Sequence, residues 1–117
     1  MRRLDFVLAW ILLLLGCVHG AASFAVFKTL TLEAIWFVTG ALAMIFGALL
    51  NLVRAGQPGN RLAAGVSLVA NLLLGAVFVI LVPWLLRHEF KQNPQVIVVG
   101  ITVAAELAFS LRSFFSR

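Results

Sequence analysis

Four long apolar runs, separated by short polar breaks, fill this 117-residue chain. They cover about residues 4–27, 34–53, 62–86 and 96–111. A bilayer hydrocarbon core about 30 Å thick is crossed by about 20 helical residues. The first three runs meet that length. The fourth meets it only if its helix continues through Arg112 to Phe115, with Arg112 snorkelling to the interface. The runs are continuous and do not alternate with period two, so they predict helices rather than barrel strands. A helix also satisfies its backbone hydrogen bonds within one segment, as lipid requires.

The breaks carry turn and cap signals. In the first, Thr31 is a candidate N-cap, and Glu33 falls in the first helical turn, where the helix dipole favours an acid. In the second, Pro58-Gly59 suits a type II turn. The third ends in Asn93-Pro94, a turn and helix-start signal. Short connections make successive helices antiparallel neighbours. The expected fold is therefore all-α, a single domain over residues 1–117, with four transmembrane helices in an up-down-up-down bundle. Pro83 is expected to kink or loosen the last turn of the third helix.

Composition supports this solvent assignment. Hydrophobic residues make up 63% of the chain and charged residues 11%, with mean hydropathy +1.11. A soluble domain carries about 25% charged residues, so this chain lacks the polar surface to cover a globule in water. The net charge of +5 does not point to nucleic acid. Its Lys and Arg residues flank the apolar runs instead of forming a basic patch with interleaved aromatics.

Those cations set the expected orientation. Arg2, Arg3, Arg54, Arg61, Arg112 and Arg117 fall on one side; Lys28, Arg87 and Lys91 fall on the other. The excess favours both termini in the cytoplasm. Trp36 and Trp84 then lie near the outer boundary and Trp10 nearer the inner one, as in an aromatic belt. The compactness of the chain fits a bacterial inner-membrane protein.

The N-terminus has a second reading. Met1-Arg2-Arg3, the apolar run and Gly20-Ala21-Ala22-Ser23 resemble a cleavable leader, and Leu14-Leu15-Gly16-Cys17 resembles a lipoprotein processing box. The run continues to Phe27, long enough to cross a bilayer, and it is read here as a span. Cys17 then reads as a small buried hydrophobe.

Candidate chemistry concentrates on a few polar residues within the spans. Glu106 is an acid at mid-span, where an exposed charge costs at least about 2.5–3.5 kcal/mol. It is expected to face the bundle interior, a water cavity or a partner. Thr102, Glu106 and Ser110 share a face by i, i+4 spacing, while Val99, Val103 and Leu107 suit lipid or apolar packing. His19 lies between Gly16 and Gly20, a pair whose spacing allows close helix approach. His19 and Glu106 lie about 12 and 15 Å from the outer ends of their spans at about 1.5 Å per residue. That similar depth predicts a His19–Glu106 hydrogen bond or ion pair. Asn71, on a face with Ser67 and Gly75, is expected to join this polar seam. A stripe of Gly40, Ala43, Gly47 and Asn51 is expected to pack the second helix, with Asn51 reaching interfacial water.

Other chemistries lack their parts. One His and one Cys two residues apart do not form a zinc site. A bis-histidine haem would need His88, which lies in a connection. No strand precedes a glycine-rich phosphate loop, and no Ser-His-Asp set is visible. No metal, no cofactor and no catalytic residue is expected. In size, span number and possession of a buried glutamate, the chain is similar to the small multidrug resistance transporters. That family places its glutamate in the first helix, whereas this chain has His19 there and Glu106 in the fourth, so no residue is carried across.

Two main readings of function follow. The first is a small non-enzymatic membrane module that packs with itself or with a larger membrane protein. The second is a proton-linked transporter or channel-like homo-oligomer using Glu106 with His19. A lipid- or quinone-binding subunit, resting on His19 and Trp36, is a third.

Overall fold

The computed structural model describes residues 1–88 and 95–116. Four helices make up its regular structure: α1 (Arg2–Val26), α2 (Leu32–Gly56), α3 (Arg61–His88) and α4 (Gln95–Phe115). Each is long and apolar enough to cross a membrane. α4 does run through Arg112 to Phe115, which supplies the length the fourth apolar run lacked. α3 continues past Pro83 to His88. The Asn93-Pro94 turn, Lys91 and Arg117 lie outside the described residues, as do the side chains of Trp84 and His88.

Local chemistry fixes the helix ends. Thr31 Oγ1 accepts a hydrogen bond from the Ala34 N–H at 3.2 Å, satisfying an otherwise unpaired donor at the start of α2. Gln57 to Asn60 forms a turn in which the Asn60 N–H donates to the Gln57 carbonyl at 3.1 Å. Gly59 sits there at φ 108°, the left-handed position that a type II turn demands after proline. Asn60 Oδ1 then caps α3 by accepting from the Ala63 N–H.

The helices form a closed ring. α1 packs on α2, α2 on α3, α3 on α4, and α4 returns to α1, while α2 and α4 meet across the diagonal. Both termini and the α2–α3 turn lie at one end, called here the terminal end. The longest dimension is 47 Å, close to a bilayer with its headgroup regions at about 40–45 Å. The mid-bundle core is Leu12, Met44, Ala48, Val99 and Val103. Large apolar side chains cover the outside, including Trp10 and Trp36, a surface that water would penalise and lipid accommodates.

Small residues bring α1 and α2 together. A methyl group added at Gly16 would lie 2.9 Å from Ile45 Cγ1 and 3.1 Å from the Ile45 backbone nitrogen. At Gly20 the nearest atom would be Ala41 Cβ at 3.3 Å. The expected close approach at Gly16 and Gly20 is thus made against α2. Gly47 is buried against Leu74 of α3. The packing stripe assigned to α2 needs correction, because Gly40 and Ala43 are exposed. The buried face is rotated to Ala41, Met44, Gly47, Ala48, Asn51 and Arg54. Gly75 is half-buried and loosely placed, with Leu107 Cδ2 3.9 Å from an added methyl. Cys17 is exposed on the lipid-facing side, contrary to its expected burial.

Candidate functional site: a buried ion cluster joining four helices

Arg54 is the hub of the polar interior. It lies in the last turn of α2, yet only 2% of its side chain is exposed. Helical side chains tilt toward the N-terminus of their own helix. For α2 that direction runs away from the terminal end, so the guanidinium extends inward, into the bundle. There Nη2 donates to Glu106 Oε2 of α4 at 2.8 Å and to Asp5 Oδ1 of α1. Nη1 donates to the Glu106 backbone carbonyl at 3.2 Å and to Ser110 Oγ. The i, i+4 spacing of Glu106 and Ser110 lets one guanidinium engage both.

Asp5 belongs to the first turn of α1, where the helix dipole stabilises an acid. Its side chain is 10% exposed, while that of Glu106 is fully buried. Nearby, Arg2 Nε donates to the Ala55 carbonyl at 3.2 Å, covering one of the last carbonyls of α2.

A neutral network extends the cluster to α3. Asn51 and Asn71 exchange amide hydrogen bonds, 3.2 Å from Asn51 Nδ2 to Asn71 Oδ1 and 2.7 Å in return. Ser67 Oγ donates to Asn51 Oδ1 at 2.6 Å and lies 3.0 Å from Ser110 Oγ. Asn71 Nδ2 also donates to Ser110 Oγ at 2.7 Å. Ser110 therefore joins the charged and neutral halves. All four residues of the neutral half are fully buried. Among the described residues, the buried atoms Arg54 Nε and Glu106 Oε1 have no hydrogen-bond partner.

No family model, curated protein or solved structure matches the chain.

Three of the expected seam residues, Glu106, Asn71 and Ser110, do come together. Thr102 is buried beside them in sequence but is satisfied within α4, donating to the Val98 carbonyl at 2.8 Å. The expected His19–Glu106 pair is corrected. Glu106 takes Arg54 instead, and His19 stacks on Phe37 of α2 with ring centroids 3.8 Å apart. The reason is facial. The Gly16 and Gly20 face of α1 is turned to α2, and His19 lies on that same face. Asn51 is also corrected: it is fully buried and faces Asn71 and Ser67 rather than interfacial water. Val99 and Val103 take the apolar-packing alternative.

Asp5 and Arg54 are the residues that sequence reasoning missed. Both stand close to the ends of apolar runs, where charges ordinarily anchor a helix in the headgroups. One signal was present: Gly47, Asn51 and Arg54 fall on one helical face by i+4 and i+3 spacing, carrying the small and polar stripe of α2 as far as the arginine.

The arrangement can hold four helices in register through a charge-paired interior. Among the described residues, no three His, Cys, Asp or Glu side chains gather in a metal-holding group. Surface clefts among the described residues lie away from the cluster. One, lined in part by Phe27, Lys28 and Ile35, lies beside the α1–α2 connection. Another follows α3 from Arg61 to Leu73.

Proposed function

We propose that the protein is a small non-enzymatic membrane module whose bundle is locked at the terminal end by its own ion cluster. It packs in the bilayer with itself or with a larger membrane protein. The observation that carries this reading is the engagement of Glu106 by Arg54 within a network that ties α1, α2, α3 and α4 together. Removing one partner of a buried ion pair costs about 3–5 kcal/mol in soluble proteins. A cost of that size favours a permanent structural tie over a group that changes partners in each transport cycle.

The membrane is proposed to be a bacterial cytoplasmic membrane, with both termini in the cytoplasm. Arg54 is buried and no longer counts as an anchoring cation. Counted by sequence position, the remaining excess stays with the terminal side: Arg2, Arg3, Arg61, Arg112 and Arg117 against Lys28, Arg87 and Lys91.

A proton-linked reading has one observation in its favour. Two carboxyl groups, Asp5 and Glu106, face a single guanidinium, and Glu106 Oε1 has no hydrogen-bond partner among the described residues. One proton on the carboxyl pair would balance the cluster, with Asp5 standing nearer solvent. In this version Asp5, rather than His19, is the companion of Glu106.

Proton flux into liposomes across a pH range, for wild type and Glu106→Gln, separates the two readings. Background flux from both proteins supports the structural lock. Wild-type flux that Glu106→Gln abolishes, while the variant remains folded, overturns it. Cross-linking in native membranes tests the packing claim, and a strictly solitary protomer contradicts it.

A further inference from the structure

We infer that the groove along α3 holds one acyl chain of an anionic phospholipid, with the lipid phosphate on Arg61. The groove has a volume of about 630 Å³ and lies between Leu50 of α2 and Phe114 of α4. Its lining is apolar apart from Arg61. From Arg61 to Leu73 it follows the helix for about 18 Å at 1.5 Å rise per residue. One leaflet of hydrocarbon is about 15 Å deep. The groove is therefore as long as one leaflet and opens at the headgroup level of the terminal side.

Gly65 shapes the indentation. With no side chain there, the wall is the Phe114 ring, 3.6 Å from where a methyl group would begin. A methyl fits; a branched side chain would fill the space.

Charge selects the headgroup. Arg61 is exposed and makes no side-chain hydrogen bond or ion pair among the described residues. Arg2, Arg3 and Arg112 are also exposed at this end. The two acids there, Asp5 and Glu106, are both turned inward onto Arg54. With both acids buried, the exposed charge described at the terminal end is cationic, and Arg61 stands at the mouth of the apolar groove. A zwitterionic headgroup offers Arg61 no net charge, whereas phosphatidylglycerol does. Basic sites between membrane helices recognise anionic lipids by this same attraction, worth about fivefold in affinity for a cation that meets the headgroup.

Native mass spectrometry of the detergent-released protein, with phosphatidylglycerol or phosphatidylcholine added at matched chain length, tests the proposal. Wild type is expected to retain one phosphatidylglycerol in preference to phosphatidylcholine. Arg61→Gln should lower phosphatidylglycerol retention about fivefold and leave phosphatidylcholine unchanged. Gly65→Leu should reduce retention of both lipids by filling the groove. Arg3→Gln serves as the control for charge lying outside the groove. Equal retention of both lipids by wild type overturns the proposal. So does equal loss in Arg61→Gln and Arg3→Gln, or full retention in a Gly65→Leu protein that keeps wild-type helicity.

Discussion

Arg54 Nη2 and Glu106 Oε2 meet at 2.8 Å across the diagonal of the bundle, joining two helices that touch little elsewhere. In a ring of four helices, neighbours are held by side-chain packing along their length. The diagonal is held here by one buried ion pair and the hydrogen bonds around it. Substitution at this pair should therefore loosen the whole ring rather than one seam.

Arg54→Ala should be the more damaging of the two single changes. It leaves two buried carboxyls facing each other without a cation and should cost at least about 3–5 kcal/mol. Glu106→Gln leaves Arg54 paired with Asp5 and should cost less. Replacing the cluster together, by Asp5→Leu, Arg54→Met and Glu106→Leu, should recover much of the loss, because well-packed apolar groups often equal a buried ion pair. Thermal unfolding of the solubilised variants measures the order. A triple variant less stable than Arg54→Ala would contradict the lock.

Asn51→Ala should have a smaller effect, about 1–3 kcal/mol. It removes two hydrogen bonds from the Asn71 amide and one from the Ser67 hydroxyl, but strands no charge. Interhelical hydrogen bonds in membranes average only about 0.6 kcal/mol, which places the expected value toward the lower end. A loss equal to that of Arg54→Ala would mean that the neutral network, not the ion pair, holds the bundle.

Gly16→Ala and Gly47→Ala form an instructive pair. The nominal clash is shorter at Gly47, 2.6 Å to Leu74 Cδ1, than at Gly16, 2.9 Å to Ile45 Cγ1. Yet Leu74 offers only the tip of a flexible side chain, while Gly16 also meets the Ile45 backbone nitrogen at 3.1 Å. The Leu74 tip can swing aside; the α2 backbone cannot move without separating the helices. Gly16→Ala should cost about 1–3 kcal/mol and Gly47→Ala less. Gly40→Ala, with nothing nearer than His19 Nε2 at 4.0 Å, should be neutral or slightly stabilising through helix propensity. Denaturation of the three variants side by side checks the ranking.

His19→Phe should keep wild-type stability, because its role is a ring stacked on Phe37, which in turn meets Phe27 edge to face. His19→Ala should lose about 0.5–1.5 kcal/mol, the value of an aromatic pair. If His19→Phe instead unfolds the protein while Glu106→Gln does not, the imidazole has a polar duty that the stacking does not explain.

The helical architecture was legible because lipid imposes one rule on every residue of a span. Run length, continuity and the turn chemistry at Thr31 and Pro58-Gly59 all obeyed it. The site was legible in part. Glu106, Asn71 and Ser110 stand inside apolar runs, where any polar group calls for a partner. Arg54 and Asp5 stand near run ends, where the same residue types serve as ordinary anchors. What distinguishes them is the direction of the side chain and the rotation of the helix. Rotation depends on how α1 and α2 pack, and that depends on the fit of Gly16 against Ile45 rather than on hydropathy. The same rotation sent His19 to Phe37 and away from Glu106.

The ion cluster also carries an expectation for how the chain enters its membrane. Asp5 is made first, Arg54 next and Glu106 last. The mid-span acid of α4 is then expected to be the costly step, eased if Arg54 is already held between α1 and α2. The first three helices would thus serve as an internal template for insertion of the fourth. A chain carrying Arg54→Ala should stall with α4 at the bilayer surface, visible as protease access to residues that the folded bundle buries.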